Sequence, residues 1–369
     1  MKRGHFDKPL MLLIALLVVG GCLIFASAAF GLLARGSTDM SSVVFNHLVL
    51  GVGLGLVAMV GFAFFDYRLL RPYAIHIFVL ALIGTAAVFV PHLGFSHGGG
   101  RRWISIAHIS LQPSEGLKLA AILMAAAYFS SMRKQVESFK YGFGGFAAIL
   151  AAPVLILIAQ PDLGTLGVIC FSVAAIFFAA GASWKQILAS ILIGIIALTI
   201  LAAWRPYVRD RITTFFDPSK GQQSQAYQIK QSLIAVGSGG FTGRGLGQGI
   251  QKFTYLPEPM GDSIFAVAGE EMGFIGTVSI VLLFLAFALR GYSIGTRSPD
   301  MFGSLLAIGI STYLVVEAFI NIAAMLGVAP LTGIPLTFMS QGGSAMLASL
   351  AAAGVLLNIS RQRRAHSQG

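Results

Sequence analysis

The chain has 369 residues, of which 56% are hydrophobic and only 11% are charged. Soluble domains carry roughly a quarter charged residues, so the composition excludes a soluble globular protein and predicts an all-α polytopic membrane protein. The formal net charge of +11 is distributed in short clusters between apolar stretches. That distribution is typical of membrane topology signals, and no nucleic-acid partner is expected.

Motifs for metal or nucleotide chemistry are missing from the sequence. Cys22 and Cys170 lie inside apolar stretches far apart in the chain, so neither a disulfide nor a metal site is inferred. The seven histidines form no HExxH or Cys/His cluster, and no GxxxxGK[ST] phosphate loop occurs. Soluble nucleotide chemistry is therefore not indicated.

Apolar stretches long enough to cross a bilayer recur along the whole chain. They predict ten transmembrane helices, over residues 9–33, 44–65, 73–91, 114–131, 143–159, 163–181, 185–203, 264–289, 302–326 and 341–359. The first stretch contains Ala26-Ser27-Ala28, which resembles a signal-peptide cleavage site, but the apolar run continues beyond it. A retained helix is expected, in a single domain covering residues 1–369.

Basic residues predict the orientation. With the N-terminus in the cytoplasm, the cytoplasmic segments hold 14 Lys and Arg residues. The outer segments hold 4 when the long loop between helices 7 and 8 is excluded, because long loops contribute little to the positive-inside rule. Both termini are expected in the cytoplasm, with a large extracytoplasmic loop, residues 204–262, between helices 7 and 8. Function is expected in this loop and in the outer segment 92–112.

One part of the long loop, "SQAYQIKQSLIAVGSGG", places apolar residues on one helical face. It predicts an amphipathic helix ended by glycines. This helix either lies on the membrane surface or packs on the helical bundle.

Ionisable residues at membrane depth are functional candidates, because an unpaired charge is costly there. Glu115 and Lys118 are three residues apart on one helix face, where they serve as a structural ion pair or contact substrate. Asp162 follows Pro161 in a short turn and is expected to cap the next helix. Glu317 lies in mid-span, with no role assigned.

Asp262 lies at the outer end of a predicted helix, beside a loop rich in cations. It either caps the helix that begins at Ser263 or acts with the cations on a phosphorylated substrate, and its position alone favours neither. The cations expected on the same side are Arg101, Arg102, Arg205, Arg209, Arg211, Lys220, Lys230, Arg244 and Lys252.

Two further segments suggest a site. "HGGGRRWISIAHISLQPSE" combines a glycine-rich turn with two arginines, which can grip phosphate oxygens, and with Trp103, which is also typical of a membrane-interface anchor. "GVAPLTGIPLTFMSQGGSAM" combines glycines with Pro330 and Pro335. Broken backbone of this kind should line a cavity, because unpaired amides are not tolerated in lipid.

Four motifs in this order resemble the SEDS family of bacterial cell-wall polymerases (shape, elongation, division and sporulation), and the resemblance covers nearly the whole chain. They are "RRWISIAHISLQPSEGLKLA", "QPDLGT", "QSLIAVGSGGFTGRGLGQGIQKFTYLPEP" and "PLTGIPLTFMSQGGS". Within the family, "GLGQGIQKFTYLPEPMGDSIFAVAGEEMG" is more similar to the cell-division branch, FtsW, than to the elongation branch, RodA.

The resemblance implies a multi-pass protein of the bacterial plasma membrane. It implies a peptidoglycan glycosyltransferase that polymerises lipid II at the outer face, with septal synthesis favoured over elongation. Implied partners are lipid II, a class B penicillin-binding protein transpeptidase and other divisome or elongasome membrane proteins. The alternatives are a lipid II flippase, which would also use intramembrane charges, and a scaffold for the transpeptidase.

The resemblance also implies the site residues. The essential acidic residue of the long loop falls on Asp262, as the catalytic base. The expected substrate-binding residues are Arg101, Arg102, Trp103, Glu115, Lys118, Arg244, Lys252, Glu258, Ser340, Gly342 and Gly343. No metal ligand is implied, and a divalent cation, Mg²⁺ or Mn²⁺, is the one cofactor left open.

The chain departs from the family pattern near these residues. Gly261-Asp262-Ser263 stands where the family usually has Thr-Asp-Phe, and Thr337-Phe338 and Ser340-Gln341-Gly342-Gly343 replace Pro-Phe and Ser-Tyr-Gly-Gly. The aspartate is retained, whereas the loop geometry around it is in doubt. Glu270 and Glu271 lie about 12 Å along the helix from Asp262 and are expected to pair inside the bundle.

Overall fold

The computed structural model of the chain describes residues 5–34, 40–97, 100–106, 109–217 and 223–362. A π-helical segment lies at Asn46–Gly53. The α-helices are α1 (Lys8–Ala34), α2 (Met40–Phe45), α3 (Leu54–Phe64), α4 (Ala74–Ala86), α5 (Pro113–Ser131), α6 (Gly142–Ala159), α7 (Leu163–Ala179), α8 (Trp184–Trp204), α9 (Pro206–Phe216), α10 (Gln223–Ser238), α11 (Gln251–Thr254), α12 (Ile264–Thr296), α13 (Met301–Met325) and α14 (Gly343–Arg361).

A helix lies at each of the ten positions predicted to cross the membrane. Within the described ranges, seven helices are long and apolar enough to cross a bilayer. Two more, Ala74–Phe89 and Leu163–Ala179, are apolar but shorter, and α5 carries Glu115 and Lys118 near its start. The multi-pass membrane fold is confirmed, whereas the number of ten crossings stays a prediction.

The centre of the bundle is formed by α13 and α14. Their apolar segments are 78% and 83% buried, whereas the segment of α8 is 0% buried and stands at the periphery. α13 packs against α5, α7 and α12, and α14 packs against α3. Polar side chains on these central helices must find partners within the chain, because lipid supplies none and water is excluded.

A small antiparallel sheet adds to the helical fold in the segment between α4 and α5. Its strands are β1 (Gly94–His97), β2 (Gly100–Ile106) and β3 (Ile109–Leu111), in the order β1-β2-β3. Phe95 faces Trp103 across β1 and β2. The sequence predicts only a loop in this segment, because strands of three to seven residues are too short to stand out in its pattern.

The amphipathic helix predicted in the long loop is α10, and it packs on the bundle. Ser232 and Ala235 are fully buried, and Val236 lies so close to Gly269 of α12 that a Cβ there would approach it to 2.8 Å. Of the two alternatives predicted for this helix, packing on the helical bundle is the one observed. α9 contacts α10, and α11 contacts α1 and α12. The surface formed by α9, α10, α11 and the turn at residues 255–263 is here called the loop face.

α12 is interrupted at Gly273, whose φ of 64° and ψ of −161° are not helical. The freed groups pair with the glycine-rich segment 239–245. The amide of Arg244 donates to the Glu270 carbonyl at 3.1 Å, and the amide of Phe274 donates to the Gly240 carbonyl at 2.9 Å. A break is tolerated at this depth only because the neighbouring segment satisfies the backbone.

Replacing Gly273 with alanine should destabilise the protein. The new Cβ would lie 2.3 Å from the Gly243 amide nitrogen, and the backbone conformation costs a non-glycine residue about 1–3 kcal/mol. We expect a clear fall in melting temperature in detergent. Gly194→Ala in α8 is the matched control, since no atom lies within 4 Å of its Cβ position. Equal melting temperatures for the two variants would contradict this account.

Candidate active site

The turn that carries Asp262 is fixed by side chains from distant segments. Asn321 of α13 donates its amide to the backbone carbonyl of Asp262 at 2.8 Å. The Ser340 hydroxyl donates to the Gly261 carbonyl at 2.8 Å, and the Gln341 amide donates to the Met260 carbonyl at 2.7 Å. The position of Asp262 is therefore set by α13 and by the segment that leads into α14.

The carboxylate of Asp262, unlike its backbone, is not engaged. The side chain is partly buried, and no described residue gives it a hydrogen bond or an ion pair. The first turn of α12 receives no side-chain cap, and its N-cap position is Ser263. The capping alternative is thus not what the structure shows, and the carboxylate stays available on the loop face.

The pKa of Asp262 is raised to about 7, chiefly by burial and in smaller part by the negative charge of Glu258. The positive charges of Arg102 and Arg211 act in the opposite direction. Glu258 is exposed and holds a φ of 45°, so it shapes the turn as well as charging it. A carboxyl group with a pKa near neutrality is suited to accept a proton at physiological pH.

Arg102 and Arg101 diverge because successive residues of a strand point to opposite faces. Arg101 is exposed and donates to the Gly94 carbonyl at 3.2 Å. Arg102 reaches the turn between α6 and α7, where it donates to the Pro161 carbonyl and lies 3.7 Å from Oδ1 of Asp162. Only the strand register decides which arginine faces the Asp262 site.

Asp162 has the capping role predicted for it. Its carboxylate accepts the Thr165 amide at 3.2 Å, at the start of α7. It also accepts the Gln112 side-chain amide at 3.3 Å. The cap therefore joins the segment before α5 to the turn that holds Arg102.

Arg211 of α9 is the second cation near Asp262. Its guanidinium donates to the Thr332 carbonyl at 3.5 Å, and burial together with the charge of Arg102 lowers its pKa. The hydroxyls of Tyr207 and Thr332 are buried near it without a hydrogen-bond partner among the described residues. In the sequence Arg211 was one of nine loop cations, with nothing to distinguish it.

Glu115 and Lys118 pair as the structural alternative predicted, at 2.8 Å. Lys118 Nζ also lies 2.8 Å from Oε1 of Glu317, and the Tyr313 ring centroid is 4.9 Å from it. These three charged side chains are at most 4% exposed. Contact with substrate would require the pair to open.

Lys252 and Arg244, expected to bind substrate, lie with the two glutamates of α12. Lys252 is fully buried, 2.5 Å from Glu271 Oε1 and 2.7 Å from the Ser27 hydroxyl. Glu270 accepts the Ile250 amide at 2.8 Å and lies 3.8 Å from Arg244. Pairing of Glu270 and Glu271 inside the bundle is as expected, and it leaves Lys252 unavailable to a ligand.

The remaining predicted residues support backbone geometry. Ser340 bridges the Leu336 amide, at 2.7 Å, and the Gly261 carbonyl. Gly343 allows α14 to approach the π-helical segment Asn46–Gly53, since a Cβ there would lie 3.0 Å from the Asn46 carbonyl oxygen. Gly342 precedes it as the N-cap of α14, and Trp103 is partly buried in the sheet. Lys220 lies outside the described residues.

Removing the buried Lys252 should test its structural role. Lys252→Met leaves Glu271 charged and without its cation, a change that costs about 3–5 kcal/mol. We expect a large fall in melting temperature, partly restored in the Lys252→Met/Glu271→Gln double variant. Lys230→Met, at an exposed position of α10, is the control. A stable but inactive Lys252→Met protein would instead indicate contact with a ligand.

Carboxylates and histidines do not gather into a metal site in the part of the chain that the structure describes. No group of three or more His, Cys, Asp or Glu side chains could hold an ion there. Asp162, near Arg102, is already engaged by that arginine and by Thr165. A divalent cation at the site, Mg²⁺ or Mn²⁺, stays a prediction, and the positive charge that the described residues place near Asp262 comes from the two arginines.

The chain is similar to known proteins along its whole length. The family model FTSW_RODA_SPOVE, cell cycle protein, matches residues 8–365. Stage V sporulation protein E of Bacillus subtilis (strain 168) is 39% identical over 363 residues, covering 98% of this chain and 99% of that protein. A probable peptidoglycan glycosyltransferase FtsW of Geobacter sp. (strain M18) is 37% identical over 313 residues, covering 85% of this chain and 84% of that protein.

Solved structures share the fold. A chain of a peptidoglycan synthase complex, solved in work on the structural coordination of polymerization and crosslinking, has a TM-score of 0.76 at 26% identity, with 99% of both chains covered. The rod shape determining protein RodA of Thermus thermophilus has a TM-score of 0.71 at 26% identity, covering 97% of this chain and 98% of RodA. The chain therefore belongs to the FtsW/RodA/SpoVE family of cell cycle proteins, the SEDS family.

Proposed function

We propose that this chain is a peptidoglycan glycosyltransferase that polymerises lipid II. The observation that carries the proposal is the Asp262 carboxylate, held on the loop face with a pKa raised to about 7 and two arginines nearby. Family membership supports the same reaction, since relatives at this similarity are named peptidoglycan glycosyltransferases. The loop face is then the outer face of the plasma membrane, and both termini are cytoplasmic.

Asp262 acts as the general base in this proposal. The acceptor is a sugar hydroxyl, a poor nucleophile until a base takes its proton as the new glycosidic bond forms. The Asp262 carboxylate has no competing hydrogen bond among the described residues and is positioned by Asn321 through its backbone. Its raised pKa makes it a better proton acceptor than an ordinary aspartate while leaving it largely ionised above about pH 7.

Arg102 and Arg211 stabilise the leaving group. Cleavage of the donor bond releases a polyprenyl pyrophosphate, and charge on its oxygens grows in the transition state. Guanidinium groups bind phosphate oxygens in bidentate fashion. Arg102 is already anchored to the α6–α7 turn and Arg211 to the segment after α13. A protonated acid to assist departure, as glycosidases use, is unnecessary because pyrophosphate is a stable anion.

An apolar cavity supports a lipid-linked substrate. It has a volume of about 200 Å³ and lies where α3, α4, α5, α13 and α14 meet. Its lining includes Ile77, Leu119 and Leu306, and it extends to Gly116, next to Glu115. A groove of this kind suits part of a polyprenyl tail, while the headgroup stays at the loop face.

A class B penicillin-binding protein is the partner we propose, together with other divisome membrane proteins. A solved relative is part of a complex that couples polymerization to crosslinking. Septal synthesis is proposed over elongation, because named relatives include FtsW proteins along most of the chain. A flippase would move lipid II without consuming it, so reaction products distinguish the two functions.

Polymerisation should depend on Asp262. Purified protein with lipid II and its cognate transpeptidase is expected to form glycan strands, and Asp262→Asn should lower the rate by about 100–10,000-fold, the usual contribution of a general base. The variant should fold normally, because it removes a buried charge and no hydrogen bond. Full polymerisation by Asp262→Asn would refute the base assignment. Transbilayer movement of labelled lipid II in liposomes, without polymer, would favour the flippase.

The pH dependence should respond to the charges around Asp262. The base works when ionised, so the rate is present above its pKa of about 7 and is lost as the pH falls through it. Glu258→Gln should move this acid limb to lower pH, and Arg211→Gln to higher pH, because they remove charges of opposite sign. The pH dependence of kcat/KM for lipid II, which reports the free enzyme, measures both shifts, with Lys230→Gln as control. Shifts in one direction for both variants would contradict the assignment.

A further inference from the structure

The charged cluster of Glu115, Lys118 and Glu317 holds one carboxylate too many. Both carboxylates lie 2.8 Å from the same ammonium nitrogen, Lys118 Nζ. The side chain of Glu317 is 1% exposed, and the proposed mechanism uses no atom of it. If all three groups were ionised, the cluster would carry a surplus negative charge inside the bundle, which is costly where water is excluded.

The surroundings do not offset this surplus. Among the described residues, the charges that chiefly act on Glu317 are Lys118, Glu115 and Asp162, two of which are negative. The Tyr313 ring centroid lies 4.9 Å from the ammonium nitrogen. Ala345, Met346 and Ser349 of α14 line the nearby wall, and none of the three is charged. A proton or a monovalent cation is the ligand that would neutralise such a cluster.

The two carboxylates differ in their environment. Glu115 lies in the first turn of α5, where the helix dipole favours a negative charge. One oxygen of each carboxylate, Oε2, is buried without a hydrogen-bond partner among the described residues, so the difference lies in the helix positions. Glu317 lies far from both ends of α13, where no helix terminus favours a negative charge, and the neutral form therefore belongs to Glu317.

We propose that Glu317 holds a proton at neutral pH, which makes the cluster of Glu115, Lys118 and Glu317 a proton-binding site with no net charge. A cavity of about 10 Å³ borders Glu317 and Ser340, close to the volume needed for one water. Through that cavity the acid lies near the serine that holds the Asp262 turn. Glu317 is a positioning residue in this account and does not touch substrate.

Loss of the proton from Glu317 would change the position of the turn that carries Asp262. Glu317 and Asn321 are four residues apart, hence on the same face of α13 and about 6 Å apart along its axis. Asn321 holds both the Asp262 carbonyl and the Ile334 carbonyl, each at 2.8 Å. A second ionised carboxylate beside Lys118 would draw on the same ammonium group and shift this part of α13. This consequence rests on the proposed function, whereas the proton site itself does not.

Infrared spectroscopy tests the proton directly. The Asp262→Asn protein is the background, because this substitution removes the other carboxyl group expected to hold a proton near neutrality. At about pH 7 we expect a carbonyl stretch of a neutral carboxylic acid, sensitive to deuterium exchange, that disappears on adding Glu317→Gln. Glu137→Gln, at an exposed position, should leave the band unchanged. Absence of the band, or its persistence in the Glu317→Gln protein, would overturn the proposal.

Thermal unfolding gives a second measurement that needs no activity. A proton held more tightly in the folded state stabilises it, and this stabilisation decreases as the pH rises. The melting temperature of the Asp262→Asn protein should therefore fall between about pH 4.3, where an unfolded glutamate ionises, and about pH 7 relative to that of the Asp262→Asn/Glu317→Gln protein. Parallel curves would count against the proton. A melting temperature that follows Na⁺ concentration would assign the site to a monovalent cation instead.

Discussion

Polar groups inside a membrane bundle must be satisfied by the chain itself, and this constraint explains most of the structure on the loop face. The break in α12 at Gly273 is paired with the glycine-rich segment 239–245. Glu271 next to it is neutralised by Lys252, with both side chains fully buried. The glycine-rich segment and Lys252 resemble ligand-binding sequence, but in the structure they satisfy the backbone and the charge of a broken transmembrane helix.

Against that background Asp262 is the exception. Its backbone is held on both sides of the residue, by Asn321 and Ser340, while its carboxylate has no partner among the described residues. A partly buried carboxylate left free is costly, and it is retained where the group has work to do. Arg102 and Arg211 supply positive charge nearby without closing an ion pair on it. This combination is what a general base beside a phosphorylated substrate requires.

The cluster of Glu115, Lys118 and Glu317 must also be neutralised inside the bundle, but ion pairing does not suffice there. One ammonium group serves two carboxylates, so pairing alone cannot remove the charge. A neutral Glu317 completes the balance, and α13 then links that balance to the turn that carries Asp262. The charged cluster and the Asp262 turn are connected through α13, which carries both Glu317 and Asn321.

The membrane class and the positions of the apolar helices follow from hydropathy, and Asp262 as the candidate base follows from the order of the motifs. Both are properties of the sequence that can be recognised without knowing how the chain packs. The sequence also anticipated the Glu115–Lys118 pair, since residues three apart share a helix face. Tertiary structure decided which cations matter. Arg102 rather than Arg101 faces the site because of strand register, and Arg211 is placed near Asp262 by the short helix α9. Lys252, expected to bind substrate, is instead buried against Glu271. These choices depend on how distant segments pack, and no local pattern records which side chain a neighbouring segment will neutralise.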